Sequence, residues 1–572
     1  MLSTDSANTL HCDACQRIFK SLAGLKNHQR ACKLKAKPST TSTAVLPDDE
    51  PQSHTQSVND ECFKKEIHDA YKKMSVWRKN IFQLPKGNVG KQFIYELTKA
   101  IDLWNNNSPQ RDIALMMFMV LPNLLLQRVS AKTSTLLNKQ TLEKRLELWR
   151  QRKISVLIGE CLVIQSRLSK NTARQKEQNN IGEKFQKLMI KGNINGALRL
   201  LTSQQCNGIL PLSDETMNEL HLKHPEASPL NDNLLLKGPI NEVNAVIYES
   251  IDESVILKAC VKTKGASGMS AWDADEWRRV LGSNIFGLAA ADLRKSIAKF
   301  AKMLCINRVE DPESLEALLA CRLIPLDKNP GIRPIGIGEV LRRIIGKAIM
   351  MCIRKDIIHA AGNLQLCAGI KSGCEIAVHA AVDMFDDEDN HGILQIDASN
   401  AFNSINRAVT LRNMEILCPE FSTYIFNCYQ VPARLFIAGG KEIKSNEGTT
   451  QGDPVAMGMY AIGITPLLQP LQMELEQPKK IAFADDFTGI GTIKSLRSWL
   501  EKITSHGPNI GYYPKPSKSW LIVKENYLEE AIRQFEGTGV NITTDGNRHL
   551  GAIVGSEEHK KEYVSGVVKK WI

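Results

Sequence analysis

Asp485 and Asp486 form a carboxylate pair between short apolar runs, Ile481-Ala482-Phe483-Ala484 before it and Phe487 after it. The chemistry such a pair offers is coordination of a hard divalent cation. Neighbouring strand residues point to opposite faces, so an Asp-Asp pair inside a buried strand would bury at least one charge. At the tip of a β-hairpin both carboxylates can reach solvent or an ion. Two other Asp-Asp pairs read as solvated charge: Asp48-Asp49 lies between Pro47 and Pro51, and Asp386-Asp387 opens the acidic run to Asp389. A further acid, Asp397, closes Gly392-Ile393-Leu394-Gln395-Ile396-Asp397. Strand alternation puts Ile393, Gln395 and Asp397 on one face, Leu394 and Ile396 on the other. Standing alone, Asp397 would be a turn or cap acid.

A second chemistry sits near the N-terminus. Cys12-x2-Cys15-x12-His28-x3-Cys32 has the spacing of a zinc finger. Two thiolates on a hairpin and two ligands one helical turn apart close a tetrahedron around one zinc ion. Phe19 and Leu25 fall where such a ββα finger places its small core, and metal binding supplies most of its folding energy. The base-facing helix positions would be Ser21, Gly24 and Asn27, and Ser and Gly read bases poorly. Residues 1–40 hold seven Lys or Arg and two Asp. Lys20, Lys26, Arg30, Lys33, Lys35 and Lys37 are therefore expected to contact phosphates, with modest sequence specificity. A protein-binding or purely structural finger is the alternative.

The acids need elements to hold them. Asp485-Asp486 requires the hairpin, and Asp397 the end of a strand. Asn403-Ser404 is expected to cap a helix starting near Ile405. Glu447-Gly448-Thr449-Thr450-Gln451-Gly452-Asp453-Pro454 reads as a Gly-rich turn, with Asp453 at the N-cap and Pro454 opening an apolar helix from Val455 to about Leu471. Arg333-Pro334-Ile335 follows the strand-like run Leu323–Leu326. Residues 36–60 are polar and Pro-rich and are expected to be a disordered linker. From 61 to 240 the apolar periodicity is helical: Ala114, Met117, Phe118, Leu121 and Leu125; Leu142, Leu146 and Trp149; Phe185, Leu188 and Met189. Trp77, Trp104 and Trp149 are expected core anchors. After about 320, short apolar strands alternate with turns and helices, which gives an α+β class.

Composition sets the frame. A chain of 572 residues with 43% apolar and 24% charged residues is expected to form about two to four globular domains. Its net charge of +11 is a modest bias towards polyanions. The run Ile113 to Leu126 contains Pro122 and Asn123, is short for a bilayer span and reads as a buried core helix. No apolar N-terminal signal segment is present, so a reducing intracellular compartment is expected. Gly336-Ile337-Gly338 is a lone Gly-x-Gly, and Cys367 and Cys374 lack ligand partners at metal spacing.

Taken in this order, the motifs resemble the reverse transcriptase of non-LTR retrotransposons, in the lineage that carries a restriction-like endonuclease. Phe483-Ala484-Asp485-Asp486 resembles the family's Tyr-Ala-Asp-Asp box, with Phe483 keeping the ring and losing the hydroxyl. Gln395-Ile396-Asp397 through Ala401-Phe402 resembles its first metal motif, and Gln451-Gly452-Asp453-Pro454 its template and nucleotide motif. Arg333-Pro334-Ile335 and the Gly336–Gly346 segment resemble its fingers motifs. Gly511 to Lys518 is similar to the late palm motif, and His549-Leu550-Gly551 to the primer-grip turn. The likeness covers roughly residues 260–555.

The resemblance implies a right-hand polymerase: zinc finger over 1–35, linker 36–60, helical extension 61–240, connector and fingers 241–390, palm 391–555 and the start of an incomplete thumb over 556–572. It implies RNA-directed DNA polymerase activity with two Mg2+ ions, Asp397 and Asp485 bridging them and Asp486 assisting. Phe402 matches the aromatic residue that blocks a ribose 2′-hydroxyl. Arg333, and more weakly Lys328, would grip the triphosphate, while Gln451 and Gly452 bracket the nucleotide and template. Lys518 fits the lysine that steadies the leaving pyrophosphate, with Lys515 competing. The implied partners are RNA template, DNA primer or target and deoxynucleoside triphosphates, with no membrane, and the implied location is the nucleus. Only 21 residues follow Gly551, so the chain is expected to resemble the front part of a longer element protein. The alternative is a catalytically weak or inactive, truncated or domesticated zinc-finger nucleic-acid-binding protein, against which the intact carboxylates argue.

Overall fold

The computed structural model describes residues 10–11, 18–19, 52–130, 133–174, 181–190, 194, 197, 208–328 and 331–569. The chain divides into two compact units, Met1–Asp60 and Glu61–Ile572. In the first, strands β1 (Leu10–His11) and β2 (Ile18–Phe19) pair antiparallel, Leu10 with Phe19. Cys12, Cys15, His28 and Cys32 lie outside the described residues, as do Ser21, Gly24, Lys26, Asn27 and Arg30. A helix begins at Gln52 and runs to Met74, so the stretch expected as linker is already helical by residue 52.

In the second unit, helices Asn88–Asn105, Arg111–Leu125, Thr135–Arg150 and Ile154–Arg174 build the N-terminal part. Arg111–Leu125 is buried from Ile113 to its end, as an element apolar on every side must be. Buried Arg145 covers that helix's C-terminal end, donating to the Leu125 and Gln127 carbonyls at 3.1 and 2.8 Å. Trp104 and Trp149 are buried as expected, Trp77 is partly buried, and Met189 is exposed, contrary to its helical spacing. One apolar core joins these helices to those that follow, from Phe63 through Trp277 and Ile344 to Ile462. It runs across residue 240 without a break. Among the described residues no helix is long and apolar enough to cross a membrane.

Two larger sheets follow. Their strands are β3 (Cys321–Asp327), β4 (Ile332–Gly338), β5 (Gly392–Ile396), β6 (Ala433–Phe436), β7 (Glu442–Ser445), β8 (Lys479–Phe483), β9 (Asp486–Gly491), β10 (Trp520–Val523) and β11 (Asn541–Thr543). One sheet has the order β4-β3-β6-β7, the other β11-β10-β5-β9-β8. In the second, Leu394 and Ile396 pack with Leu496 and Trp499 of helix Ile493–His506, while Ile393 packs with Ala377 and Ala381 of helix Gly373–Asp386. The alternation expected along β5 is therefore present, and helices on both faces bury all five residues. A separate hairpin, β12 (Gly546–His549) with β13 (Ala552–Gly555), turns through Leu550 and Gly551, both at positive φ.

Candidate active site

The hairpin register fixes the acids. β8 and β9 close with Phe483 opposite Asp486, leaving Ala484 and Asp485 as the two-residue tip. Asp486 is thus the first residue of β9 and not part of the turn. β5 pairs antiparallel with β9, Ile396 opposite Phe487, so the next step along that register sets Asp397 against Asp486. Three carboxylates from two sequence-distant strands meet at one sheet end.

The tip is held from behind. Ala484 has φ +56°, a left-handed conformation that costs an alanine about 1–2 kcal/mol. Gln365, fully buried, compensates by taking both of its backbone groups: Ala484 N–H donates to Oε1 at 2.7 Å, and Nε2 donates to the Ala484 carbonyl at 3.0 Å. The Tyr512 hydroxyl donates to the Asp485 carbonyl at 3.0 Å, and its ring stacks on Phe487 at 4.3 Å. Asp397 is tied through its backbone alone: its N–H donates to Ser519 Oγ at 3.2 Å and its carbonyl accepts from Lys515 N at 2.8 Å.

A cavity of about 450 Å³ opens beside the tip, lined by Lys223, Lys328, Arg333, Phe402, Gln451 and Asp485 among others. Burial, then the Asp397 charge, raises the Asp485 carboxyl above its usual range. Asp486 is exposed to solvent, yet the crowding of its surroundings, then Asp485 and Asp397, push it up to about 7. The Lys328 ammonium is pulled down by burial, then by Lys518 and Arg333, with Asp397 opposing. Asp485 therefore shares the cavity with Lys328 and Arg333, which oppose its rise, and Asp397 opposes the fall of Lys328.

Phe402 stacks on Tyr460, centroids 4.5 Å apart and planes at 23°. Tyr460 is 1% exposed, and among the described residues its hydroxyl has no hydrogen-bond partner. The Gln451-Gly452 turn docks on β4, with Gly336 N–H donating to the Gln451 carbonyl at 3.1 Å. Gly452 has φ +106°, and a Cβ there would sit 2.6 Å from the Gly336 carbonyl oxygen, so only glycine fits. Asp453 accepts from Val455 N–H at 3.2 Å, but it is not the N-cap expected of it: the helix begins at Ala456 with Val455 at that position, and Asp453 holds the turn before it. Its other oxygen meets buried Arg342 in an ion pair whose side chains are each 2% exposed, and accepts from the Tyr429 hydroxyl at 2.9 Å. The expected long helix is broken at Ile464 into Ala456–Gly463 and Thr465–Glu474, with Pro466 in the first turn of the second.

The expected helix cap after Asp397 is corrected. Asn406, not Asn403 or Ser404, caps helix Arg407–Leu417, accepting from Val409 N–H at 2.9 Å. Asn400 and Asn403 instead donate to the Lys223 carbonyl at 3.0 and 2.9 Å. Lys515 and Lys518 are exposed and do not line the cavity, though Lys518 is close enough to depress Lys328. His549 and Asn547 belong to a hairpin that touches β5 through Asn547 Nδ2 donating to Gln395 Oε1 at 2.8 Å. Sequence reasoning missed Lys223, Gln365, Tyr460 and Tyr512; the tyrosines, at least, could have been suspected as aromatics near the acidic motifs.

Among the described residues no group of three or more His, Cys, Asp or Glu side chains is arranged to hold a metal ion. The Asp397 charge nonetheless raises both Asp485 and Asp486, and a cation between the carboxylates would relieve that repulsion. Their hard oxygen ligands suit magnesium better than a softer metal.

Residues 326–546 match the family described as reverse transcriptase (RNA-dependent DNA polymerase). No curated protein matches the chain. The chain thus carries the domain of an RNA-directed DNA polymerase, an enzyme class that takes RNA template, DNA and nucleotides and generally uses Mg2+.

Proposed function

We propose that this RNA-directed DNA polymerase is the reverse transcriptase of a non-LTR retrotransposon, copying element RNA into DNA by two-metal nucleotidyl transfer. The observation that carries the mechanism is the approach of Asp397, Asp485 and Asp486 at one sheet end, with Asp485 lining the cavity together with Lys328 and Arg333. In this reading the four-stranded sheet is the fingers and the five-stranded sheet the palm. Magnesium bound by Asp397 and Asp485, with Asp486 assisting, would supply the charge that activates a primer hydroxyl and neutralises pyrophosphate. Arg333 and Lys328 bind the triphosphate, and Gln451 with Gly452 brackets nucleotide and template. Phe402 closes the space a ribose 2′-hydroxyl would need. Lys518, or Lys515 beside it, meets the leaving pyrophosphate from the rim.

The Cys12, Cys15, His28 and Cys32 spacing supports a zinc finger that engages nucleic acid, with Lys26 and Arg30 on phosphates. Together with DNA as target it supports a nuclear place of action. Primer extension on poly(rA) with Mg2+ tests the polymerase reading. Wild type should extend and Asp485→Asn should not; extension by Asp485→Asn at the wild-type rate would sink the metal assignment.

A further inference from the structure

We infer that Lys223, from chain that precedes the reverse transcriptase domain, is a contact of the incoming nucleotide's triphosphate. The inference rests on the cavity being the nucleotide site. Lys223 ends helix Asp214–Lys223 and lines the cavity together with Lys328, Arg333 and Asp485. Its helix is fixed on one side to the four-stranded sheet. Met217 and Leu220 are buried against Leu323 and Ile332, and Glu219 Oε1 accepts from Ile332 N–H at 2.8 Å, one residue before Arg333.

On the other side its carbonyl is held by Asn400 and Asn403, which follow Asp397 in the chain. The chain beyond it is laced to the same elements. Asn446 Nδ2 donates to Glu226 Oε2 at 2.8 Å, Ser228 N–H to Glu447 Oε2 at 2.5 Å and Asn406 Nδ2 to the Pro229 carbonyl at 3.2 Å. Asn413 takes both the Leu234 carbonyl and the Leu236 N–H, at 2.9 and 2.8 Å. Five amide or carboxylate side chains from the polymerase domain thus grip this strap by its backbone, and two of them grip it at Lys223.

The charge at this place points to an anion. Among the described residues no carboxylate pairs with Lys223, and none pairs with Lys328, Arg333 or Lys518. Lys223, Lys328 and Arg333 share the cavity lining with two carboxylates, Asp485 and Asp453, and Asp453 is already paired with Arg342, so the lining carries a surplus of positive charge that a bound polyanion would offset. Lys328 already responds to Lys223 as a neighbouring positive charge. A polyphosphate tail is the polyanion that this enzyme class brings to such a cavity, and a lysine can serve it as a point charge.

The test uses the full chain in primer extension with Mg2+, comparing wild type, Lys223→Met, Lys223→Arg and Asp485→Asn, with inorganic tripolyphosphate as a competing probe. Lys223→Met should raise KM for the deoxynucleotide and Ki for tripolyphosphate roughly tenfold, with a smaller change in kcat. Lys223→Arg should restore most of both. Unchanged KM and Ki in Lys223→Met would overturn the inference. So would a weakened template Kd with nucleotide KM unmoved, since Lys223 would then serve the template backbone. Were wild type and Asp485→Asn equally active, the polymerase site itself would be misassigned and the inference would fall with it. Equal unfolding midpoints for the Met and wild-type proteins would exclude a folding defect as the cause.

Discussion

Gln365→Leu is the most informative single perturbation outside the acids. Leucine keeps most of the volume but removes both hydrogen bonds to Ala484, leaving a buried N–H and a buried C=O without partners. Each lost partner costs about 1–3 kcal/mol, so the native hairpin would lose roughly 2–6 kcal/mol. The tip has a way to escape part of that cost. Ala484 can leave its left-handed conformation, recovering about 1–2 kcal/mol, and turn its peptide towards water. That escape rotates Asp485, the next residue, away from Asp397. The expected net result is a stability loss of about 2–4 kcal/mol together with a fall in kcat of at least about tenfold. Template–primer binding should be retained, because Gln365 lies behind the tip. Urea unfolding and single-turnover extension would measure the two effects. A variant that loses less than about 0.5 kcal/mol and keeps kcat within about twofold would refute the reasoning.

Two other outcomes are expected. Tyr460→Leu removes the ring that backs Phe402, so the ratio of ribonucleotide to deoxynucleotide kcat/KM should rise, by less than in Phe402→Ala. Tyr460→Phe, which deletes only an unpartnered buried hydroxyl, should keep the wild-type ratio; an unmoved ratio in Tyr460→Leu would remove the backing role. His549 is buried and its imidazole is lowered to about 4 by that burial. The unfolded chain, with histidine near about 6.5, takes up the proton first as pH falls, so stability contributed by neutral His549 is complete above that pH and is lost towards pH 4. The full loss is roughly 3 kcal/mol. Unfolding curves of His549→Asn should be flatter across this window, and identical slopes would contradict the assignment.

What could be read beforehand followed the range of the forces involved. The Asp485 hairpin, the faces of β5 and the burial of Arg111–Leu125 depend on periods of two or 3.6 residues and on neighbours in sequence, and these were legible. Helix caps were less so. Asn400, Asn403 and Asn406 all have the chemistry of a cap, and only the packing of the strap decides that Asn406 caps while the other two hold Lys223. Asp453 read as an N-cap because Pro454 follows it; its buried partner Arg342 lies far upstream and leaves no local trace. Gln365 and Lys223 act only across the fold, through contacts that no periodicity encodes. The spacing of Phe185, Leu188 and Met189 does give the expected helix, Ile181–Ile190, but with Met189 exposed.

The continuous core from Phe63 to Ile462 bears on how such a protein can be rebuilt by recombination. A crossover at residue 326, where the family likeness begins, would cut inside β3 and split one apolar interior between two parents. The incoming half would arrive with Asn400, Asn403, Asn413 and Glu447 but without the strap they hold. Exchange of whole polymerase domains between related chains is therefore penalised unless the preceding helices travel with them. The unit of inheritance for this activity is larger than the stretch in which the chemistry is written.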